Sequence, residues 1–250
     1  MPSGEVGDRE WMIVDPEGRL VTQREYPRLA RIGRASLTAR WRCSTEGRAP
    51  LAVSSRDRRG PRVSSSSGTA WFPRTTPATT PRAWLSSVLG ADVRLVRFDP
   101  SHRRLCNPDW AGTSGAHTAF ADGYPLLVVT EASLADLNRR LEAKGEQALP
   151  MNRFRPNIVL AGMEPYDEDH IDTLAVDGVV IKLVKAVRAC QITTTDQDSM
   201  QTGAEPLQML GTYRMDERVG GVTFGLNAII VEGEGRMLST GMDVEASFAF

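Results

Sequence analysis

The 250-residue sequence predicts a mainly β protein with peripheral helices, and two kinds of observation support this fold class. Short runs of apolar and β-branched residues recur along the chain, for example at 93–98, 126–129 and 179–184. Turn sequences lie beside such runs, including Asp15-Pro16-Glu17-Gly18 and Asp177-Gly178. This pattern is typical of strands joined by tight antiparallel turns.

Composition limits the possible functions. The net charge of −1 argues against nucleic acid as the main partner, because proteins that bind the nucleic-acid backbone usually carry an excess of positive charge. The three cysteines (Cys43, Cys106 and Cys190) cannot form a fully paired disulfide framework, which favours a reducing compartment. No apolar run reaches the roughly 20 residues that cross a bilayer, so we expect a cytoplasmic location and no membrane partner.

Residues 1–98 are predicted to form an N-terminal β domain. A hairpin is expected at 11–22 and a strand at 93–98, and a short helix at 82–89 ends at Gly90. The stretch 34–82 is atypical, because arginine, serine, threonine and proline dominate it and large aliphatic residues are few. Such a composition cannot offset chain entropy by burial, so we expect mostly loop or disorder there.

Residues 99–250 are predicted to form a second β domain. A helix is expected to begin after its candidate cap, Thr130, and to place leucines on one face. Pro156 cannot donate a hydrogen bond to a sheet, so we expect its neighbours to lie at an edge strand or in a loop. The acidic run at 164–169 beside His170 has two interpretations, a metal cluster or, as is commoner for acid in a loop, a solvated turn.

One predicted strand leads to a cysteine that polar residues follow. Residues 179–184 are apolar and β-branched, Cys190 comes shortly after them, and three threonines and Asp196 follow the cysteine. Lys185 and Arg188 place positive charge nearby in sequence, which favours the thiolate form that attacks and binds metals. On spacing alone, the commoner interpretation is that Cys190 is a small buried apolar residue.

Several ordered motifs resemble the MOSC domain family, the molybdenum-cofactor domains of cofactor sulfurases and amidoxime-reducing proteins. The motifs are Cys190-Gln-Ile-Thr-Thr-Thr-Asp-Gln197, Tyr213-Arg214, Phe224-Gly225-Leu226-Asn227, Met151-Asn-Arg-Phe-Arg-Pro-Asn-Ile158, Asp122-Gly-Tyr-Pro125 and Thr22-Gln-Arg-Glu-Tyr-Pro-Arg28. The resemblance implies a MOSC β-barrel with peripheral helices for residues 99–250 and a partial MOSC N-terminal β domain for residues 1–98. It also implies that the molybdenum cofactor (molybdopterin) binds between them.

The resemblance further implies the residues of the cofactor site. Cys190 would be the ligand to molybdenum, and Asp196 would relay protons or orient a water molecule. The contacts to the pterin and the phosphate would come from arginines and loop residues, namely Arg24, Asp122, Gly123, Tyr124, Arg153, Arg155, Asn157, Thr193 and Thr194. Pyridoxal phosphate binding is implied only as a general property of the family.

The resemblance implies an enzyme that uses molybdenum to reduce small N-hydroxylated or N-oxide compounds. This sequence has no cysteine cluster for an iron–sulfur centre and no dinucleotide glycine motif, so we expect a separate reductase or small redox protein as electron donor. The alternative is a cofactor carrier or sulfur-transfer module without turnover, because no counterpart of the family's Pro-x-Lys-Ser stretch precedes Asp8-Arg9. A degenerate protein that binds nothing is a third possibility if residues 34–82 have lost their strands.

Overall fold

The computed structural model describes residues 9–37, 40–45, 49, 51–54, 59–65, 68–73 and 81–249. The chain divides into two compact units, of which the larger comprises Arg103–Thr194 and Gly203–Phe250. The smaller comprises Gly7–His102 and Thr195–Thr202. The loop 195–202 therefore belongs with the N-terminal residues, although it follows the Cys190 segment in sequence. The predicted fold class is confirmed, because most elements of both units are strands.

The smaller unit consists of antiparallel strands and two short helices. The strands are β1 (Trp11–Val14), β2 (Gly33–Leu37), β3 (Arg40–Ser44), β4 (Leu51–Ser54), β5 (Arg59–Ser65), β6 (Gly68–Pro73) and β7 (Arg94–Phe98). They form one sheet ordered β1-β7-β6-β5 and another ordered β2-β3-β4. Helix α1 (Pro81–Leu89) confirms the predicted helix, and a 3₁₀ helix covers Pro27–Arg31.

The prediction that residues 34–82 are mostly loop is wrong for the described part of the chain. Strands β2 to β6 lie within 33–73, and Leu51 and Val53 of β4 are buried beside Leu85 of α1. A strand with one face on a core needs an apolar residue only at every second position, so β4 fulfils this requirement with two side chains. The low content of large aliphatic residues in 34–82 therefore did not indicate a loop.

The larger unit is organised around a seven-stranded sheet ordered β11-β10-β15-β13-β12-β16, with β14 also paired to β15, and the sheet is curled into a half-barrel. The strands of the unit are β8 (Arg104–Leu105), β9 (His117–Thr118), β10 (Leu126–Thr130), β11 (Ile158–Leu160), β12 (Ile171–Val176), β13 (Val179–Arg188), β14 (Met215–Asp216), β15 (Gly221–Glu232) and β16 (Glu245–Phe248). The helices are α2 (Pro108–Ala111), α3 (Glu131–Ala143) and α4 (Leu207–Leu210), with 3₁₀ helices at Met151–Arg153, Asp167–His170 and Gln191–Thr194.

The structure confirms three local predictions in the larger unit. Thr130 caps α3, because its hydroxyl oxygen accepts a hydrogen bond of 3.0 Å from the backbone N–H of Ser133. Asp177 and Gly178 join β12 to β13 with φ angles of +45° and +72°, as a two-residue hairpin turn with the right-handed strand twist requires. Strand β11, which follows Pro156, lies at the edge of the sheet and pairs parallel to β10.

Strand β15 approaches its neighbour β10 closely at Gly225. This glycine has a φ of +73°, and a Cβ atom at this position would lie 2.7 Å from the carbonyl oxygen of Val128 and from a methyl group of Val129. A side chain here would therefore combine backbone strain with a clash against the backbone of β10. Close contact between β10 and β15 requires glycine at position 225.

We predict that Gly225→Ala lowers the free energy of unfolding by about 3 kcal/mol, the sum of left-handed strain and overpacking. The matched control is Gly145→Ala, which has a φ of +82° but open space around the added Cβ. This control should lose only about 1 kcal/mol, the strain component alone. Urea denaturation of the two variants measures the difference, and equal losses would show that the contact with Val128 is unimportant.

Candidate functional site

Cys190 lies immediately beyond the end of β13, where the chain turns away from the sheet. The backbone N–H of Ala189 still donates a hydrogen bond of 2.8 Å to the carbonyl oxygen of Val222 in β15, and the 3₁₀ helix Gln191–Thr194 begins directly after the cysteine. The side chain is a free thiol of intermediate exposure. The alternative interpretation, a fully buried apolar cysteine, does not describe Cys190.

The two threonines predicted to contact the pterin are held by their own turn. The hydroxyl of Thr193 donates to the carbonyl oxygen of Cys190, and that of Thr194 donates to the carbonyl oxygen of Gln191, both at 2.8 Å. Both residues are buried. Because each hydroxyl proton is used inside the turn, these side chains can offer a ligand only the remaining lone pairs of their oxygens. They stabilise the backbone conformation that presents Cys190.

Arg153 connects a second segment to the Cys190 turn. It lies in the 3₁₀ helix Met151–Arg153, is 9% exposed, and its Nη1 atom donates a hydrogen bond of 3.3 Å to the carbonyl oxygen of Thr193. The next residue, Phe154, stacks on Phe224 of β15 with 4.1 Å between ring centroids. The structure therefore brings Arg153 and Thr193 together, as the predicted site requires.

Arg155 and Asn157 have different roles in the following loop. Arg155 is exposed and has a φ of +54°, a conformation that places strain on a residue with a Cβ atom. Asn157 forms a pair of hydrogen bonds with Leu127 of β10, donating its N–H at 2.9 Å and accepting at Oδ1 at 3.0 Å. Asn157 thus fixes the loop to the sheet. The side chain of Arg155, by contrast, is exposed to solvent.

The loop that contains Asp122, Gly123 and Tyr124 is held by Arg104. The guanidinium group of Arg104 donates to the carbonyl oxygens of Ala119 at 3.0 Å and Asp122 at 2.6 Å, and also to that of Ala121. Sequence reasoning did not identify Arg104, because an arginine that binds carbonyl groups leaves no complementary acidic pattern. The Asp122 side chain is exposed, so this loop could offer a ligand both a carboxylate and backbone groups.

Tyr124 is buried, and no described residue pairs with its hydroxyl group. Burial raises the pKa of Tyr124, and the nearby Cys106 and Asp109 raise it further. The group is therefore a neutral hydrogen-bond donor at physiological pH. This property fits the prediction of a polar ligand contact at Tyr124.

The smaller unit brings together the other two predicted site segments. The side-chain amides of Gln23 and Gln197 form a reciprocal pair of hydrogen bonds, each 3.2 Å long. Arg24, next to this pair, is exposed, and its backbone N–H donates to the hydroxyl of Thr22. Asp196 accepts hydrogen bonds at Oδ1 from the backbone N–H groups of Asp198 and Ser199, at 3.1 and 2.7 Å. The Asp196 carboxylate thus organises its loop.

The acidic run at 164–169 is a solvated turn only in part, because Glu164 is exposed but Glu168 is buried, which corrects the prediction from sequence. Glu168 is completely buried, and its Oε2 atom accepts hydrogen bonds from the hydroxyls of Thr130 at 2.9 Å and Ser133 at 2.8 Å. Asp169 forms an ion pair of 2.7 Å with Arg214. These acidic side chains connect the loop to the start of α3 and to the residues before β14.

An aromatic and ionic network continues from this loop. The hydroxyl of Tyr166 donates to Oδ2 of Asp136 at 2.9 Å and lies 2.8 Å from the hydroxyl of Tyr213. Arg140 donates to the same oxygen of Asp136 at 2.7 Å and covers the ring of Tyr213, and Arg214 covers the ring of Tyr166. The spacing of Asp136 and Arg140, four residues apart on a helix, was a signal available in the sequence.

The donor atoms of the site decide what kind of metal group could bind. Among the described residues, no group of three or more histidine, cysteine or acidic side chains could hold a metal ion. Cys190 alone offers one soft sulfur ligand, which suits a metal that already carries sulfur ligands of its own. The residues present therefore fit a molybdenum cofactor with a bound ligand set and do not fit a bare metal ion.

Comparison with known proteins agrees with this chemistry. A model of the MOSC domain matches residues 115–245, and a model of the MOSC N-terminal beta barrel domain matches residues 1–92. The chain belongs to the MOSC domain family. Its domain order, with the N-terminal domain first, is therefore established for almost the whole sequence.

Curated relatives give more detail. The chain is 34% identical over 237 residues to mitochondrial amidoxime-reducing component 1 of Homo sapiens, covering 85% of this chain and 63% of that protein. It is 31% identical over 222 residues to mitochondrial amidoxime reducing component 2 of Homo sapiens, covering 85% of this chain and 64% of that protein. It is also 28% identical over 244 residues to molybdenum cofactor sulfurase of Arabidopsis thaliana, covering 89% of this chain and 29% of that protein. The chain thus spans less than two thirds of each of these relatives.

None of the helices in the described ranges combines the length and the apolar character that a bilayer span needs.

We predict that Asp136→Asn lowers stability at neutral pH by on the order of 2 kcal/mol and removes part of the acid sensitivity of the fold. Burial alone would raise the pKa of Asp136, but hydrogen bonds from Arg140 and Tyr166 and the charges of Arg140 and Arg139 outweigh it, so the folded-state pKa is lowered. The carboxylate therefore stabilises the fold above about pH 4, and this contribution is lost as the pH falls through the folded-state pKa.

Urea denaturation between pH 7 and pH 3 tests this prediction. The matched control is Asp172→Asn, because Asp172 forms a half-exposed ion pair with Lys182 on the sheet surface. This control should change stability by less than about 1 kcal/mol. Identical pH profiles for the wild type and Asp136→Asn would contradict the assignment.

Proposed function

We propose that this protein binds the molybdenum cofactor and reduces N-hydroxylated or N-oxide compounds. The observation that carries the proposal is the half-exposed thiol of Cys190, held at the start of a threonine-rich 3₁₀ turn in a MOSC domain. The names of the amidoxime-reducing relatives support the reaction class, since the chain aligns with them over 85% of its length.

The proposed cofactor contacts are those that the family resemblance implies. Cys190 would be the protein ligand to molybdenum, and Arg24 and Arg155 would bind the phosphate, since both are exposed guanidinium groups suited to bidentate phosphate binding. Arg153 would support the Cys190 turn through Thr193, to which it is hydrogen-bonded. Polar contacts to the pterin would come from the loop Asp122, Gly123 and Tyr124 and from the oxygens of Thr193 and Thr194.

The chain's own residues would position the substrate and move protons. When bound, the cofactor supplies two-electron reduction at the metal, with Cys190 as a soft ligand. Asp196, held in a loop beside the Gln23–Gln197 pair, would orient a water molecule or relay the two protons that are consumed, with two electrons, when N–OH is reduced to N–H and water is released. Its carboxylate accepts backbone hydrogen bonds at Oδ1, which fixes its orientation for this task.

Electrons would come from a separate reductase or small redox protein, because this sequence has no cysteine cluster typical of an iron–sulfur centre and no dinucleotide glycine motif. The cytoplasmic location inferred from composition stays a prediction, and the names of the amidoxime-reducing relatives contain the word mitochondrial. Pyridoxal phosphate binding also stays a prediction.

The second candidate function is a cofactor carrier or sulfur-transfer module without turnover. The match to molybdenum cofactor sulfurase over 89% of the chain favours it. The idea of a degenerate protein loses its premise, because strands β2 to β6 are present in the stretch where they were expected to be missing. Turnover separates the two remaining candidates, since both require bound cofactor.

We predict that protein loaded with molybdenum cofactor reduces benzamidoxime with reduced methyl viologen as donor. Molybdenum content by mass spectrometry and pterin fluorescence establish loading, and benzamidine formation measures turnover. Loaded protein without turnover would contradict the reductase and support the carrier. Protein that takes up neither molybdenum nor pterin would contradict both.

We predict that Cys190→Ser abolishes reduction and lowers molybdenum content, while stability falls by only about 1 kcal/mol. A serine hydroxyl stays protonated at neutral pH and is a harder ligand than a thiolate. The controls are Cys43→Ser and Cys106→Ala, of which the second avoids placing a hydroxyl at a buried position. Both should keep molybdenum and activity. Full activity in Cys190→Ser would disprove the ligand assignment.

We predict that Arg24→Ala and Arg155→Ala each lower pterin content about tenfold, because each removes a charge-assisted contact to phosphate. The matched control is Arg236→Ala, which removes another exposed arginine, one that donates a hydrogen bond to the carbonyl oxygen of Asp177 in the β12–β13 turn. Thermal melting should show that all three variants stay folded. Unchanged pterin content in both Arg24→Ala and Arg155→Ala would show that phosphate binds elsewhere.

A further inference from the structure

Two cations flank one tryptophan in the larger unit, and a third, Arg188, lies on the neighbouring β13–β15 ladder. The Nζ atom of Lys185 lies 5.2 Å from the centroid of the Trp110 ring, and the Cζ atom of Arg218 lies 5.4 Å from it. The side chain of Arg188 lies across Gly221, where a Cβ atom would be only 2.6 Å from its Nε atom. We call Trp110, Lys185, Arg188 and Arg218 the Trp110 surface.

The cations of the Trp110 surface lack ion-pair partners among the described residues. Asp216 is used in its own turn, where Oδ1 accepts a hydrogen bond of 2.7 Å from the backbone N–H of Arg218. Two cations against one indole ring repel each other, so an external anionic group would relieve this repulsion.

The surface is open and lies close to Cys190 along the chain. Arg188 and Arg218 are exposed, whereas Lys185 and Trp110 are half-buried. Arg188 is the last residue of β13, and Ala189, which follows it, is hydrogen-bonded to Val222 beside Gly221. A molecule bound here would therefore contact the end of the strand that carries the thiol.

An exposed surface of this composition fits a protein better than a small anion. Tryptophan and arginine are the residues that most often dominate the energy of protein interfaces, whereas small ligands bind in concave pockets. Unpaired surface cations accelerate association with an acidic partner by long-range attraction. The reduction proposed above requires a partner that delivers electrons to the Cys190 region.

We propose that the Trp110 surface is the docking site for the acidic face of the redox protein that supplies electrons to this enzyme. The proposal rests on the proposed function for the identity of the partner, but its binding chemistry can be tested without turnover. The ring of Trp110 supplies apolar contact at the centre, and the three cations pair with carboxylates of the donor.

The test uses the full chain and an acidic plant-type [2Fe–2S] ferredoxin as probe. Calorimetry at low and high salt measures its binding to the wild type, Arg218→Glu, Trp110→Ala and the matched control Arg236→Glu. Arg236 is an exposed arginine beside the turn at the opposite end of β13, so its substitution changes the net charge equally. We expect about tenfold weaker binding for Arg218→Glu, weaker binding for Trp110→Ala at unchanged charge, and wild-type affinity for Arg236→Glu.

Three results would overturn the proposal: no binding of ferredoxin to the wild type at low salt, equal weakening by Arg218→Glu and Arg236→Glu, or displacement of ferredoxin by millimolar inorganic phosphate at constant ionic strength. Turnover with two donors separates this proposal from the proposed function. Arg218→Glu should slow ferredoxin-driven reduction and leave methyl viologen-driven reduction unchanged. Absence of viologen-driven turnover in loaded wild type would refute the reductase, whereas Arg218-dependent ferredoxin binding would still support the docking site.

Discussion

The antiparallel pairing of β13 with β15 determines the positions of most features described above. The ladder runs from Val180 opposite Glu232 to Arg188 opposite Thr223, with three register shifts along it. Such irregularities increase the local twist of a strand pair and redirect its side chains. At the C-terminal end of β13, this pairing positions Cys190 at the surface and the side chain of Arg188 across Gly221. A slip of one residue would turn every side chain of β13 to the opposite face, so thiol and cationic surface depend on one register.

Buried polar groups hold the elements around this ladder. Glu168 is completely buried and connects its loop to Thr130 and Ser133, and Arg214 connects Asp169 to the ring of Tyr166. Removing one partner of such a pair leaves the other buried without compensation, which is more damaging than loss of an exposed pair. The network therefore favours a single arrangement of α3 and the neighbouring loop relative to the sheet.

Periodicity and turn chemistry predicted much of the fold. The cap at Thr130, the Asp177-Gly178 turn and the edge position after Pro156 all follow from local sequence, because each depends on neighbouring residues alone. The strands at 33–73 were missed, since their stability comes from pairing across the sheet. At the candidate site, motif resemblance proposed Cys190 and Arg153, but it did not reveal that the hydroxyls of Thr193 and Thr194 donate to backbone carbonyl oxygens. The burial of Glu168 and the hydrogen bonds from Arg104 to carbonyl oxygens depend on tertiary structure, so no local sequence pattern predicts them.

The assignment of residues 195–202 to the smaller unit has a consequence for how such a chain can change over generations. Because this loop follows the Cys190 turn but is joined to Gln23 through Gln197, neither unit is encoded by one uninterrupted stretch of gene. Recombination at a single point could not exchange either half intact. Without Gln23, the amide of Gln197 would keep only its hydrogen bond to the carbonyl oxygen of Thr195. Inheritance of the two units as a pair is therefore favoured by the path of the chain.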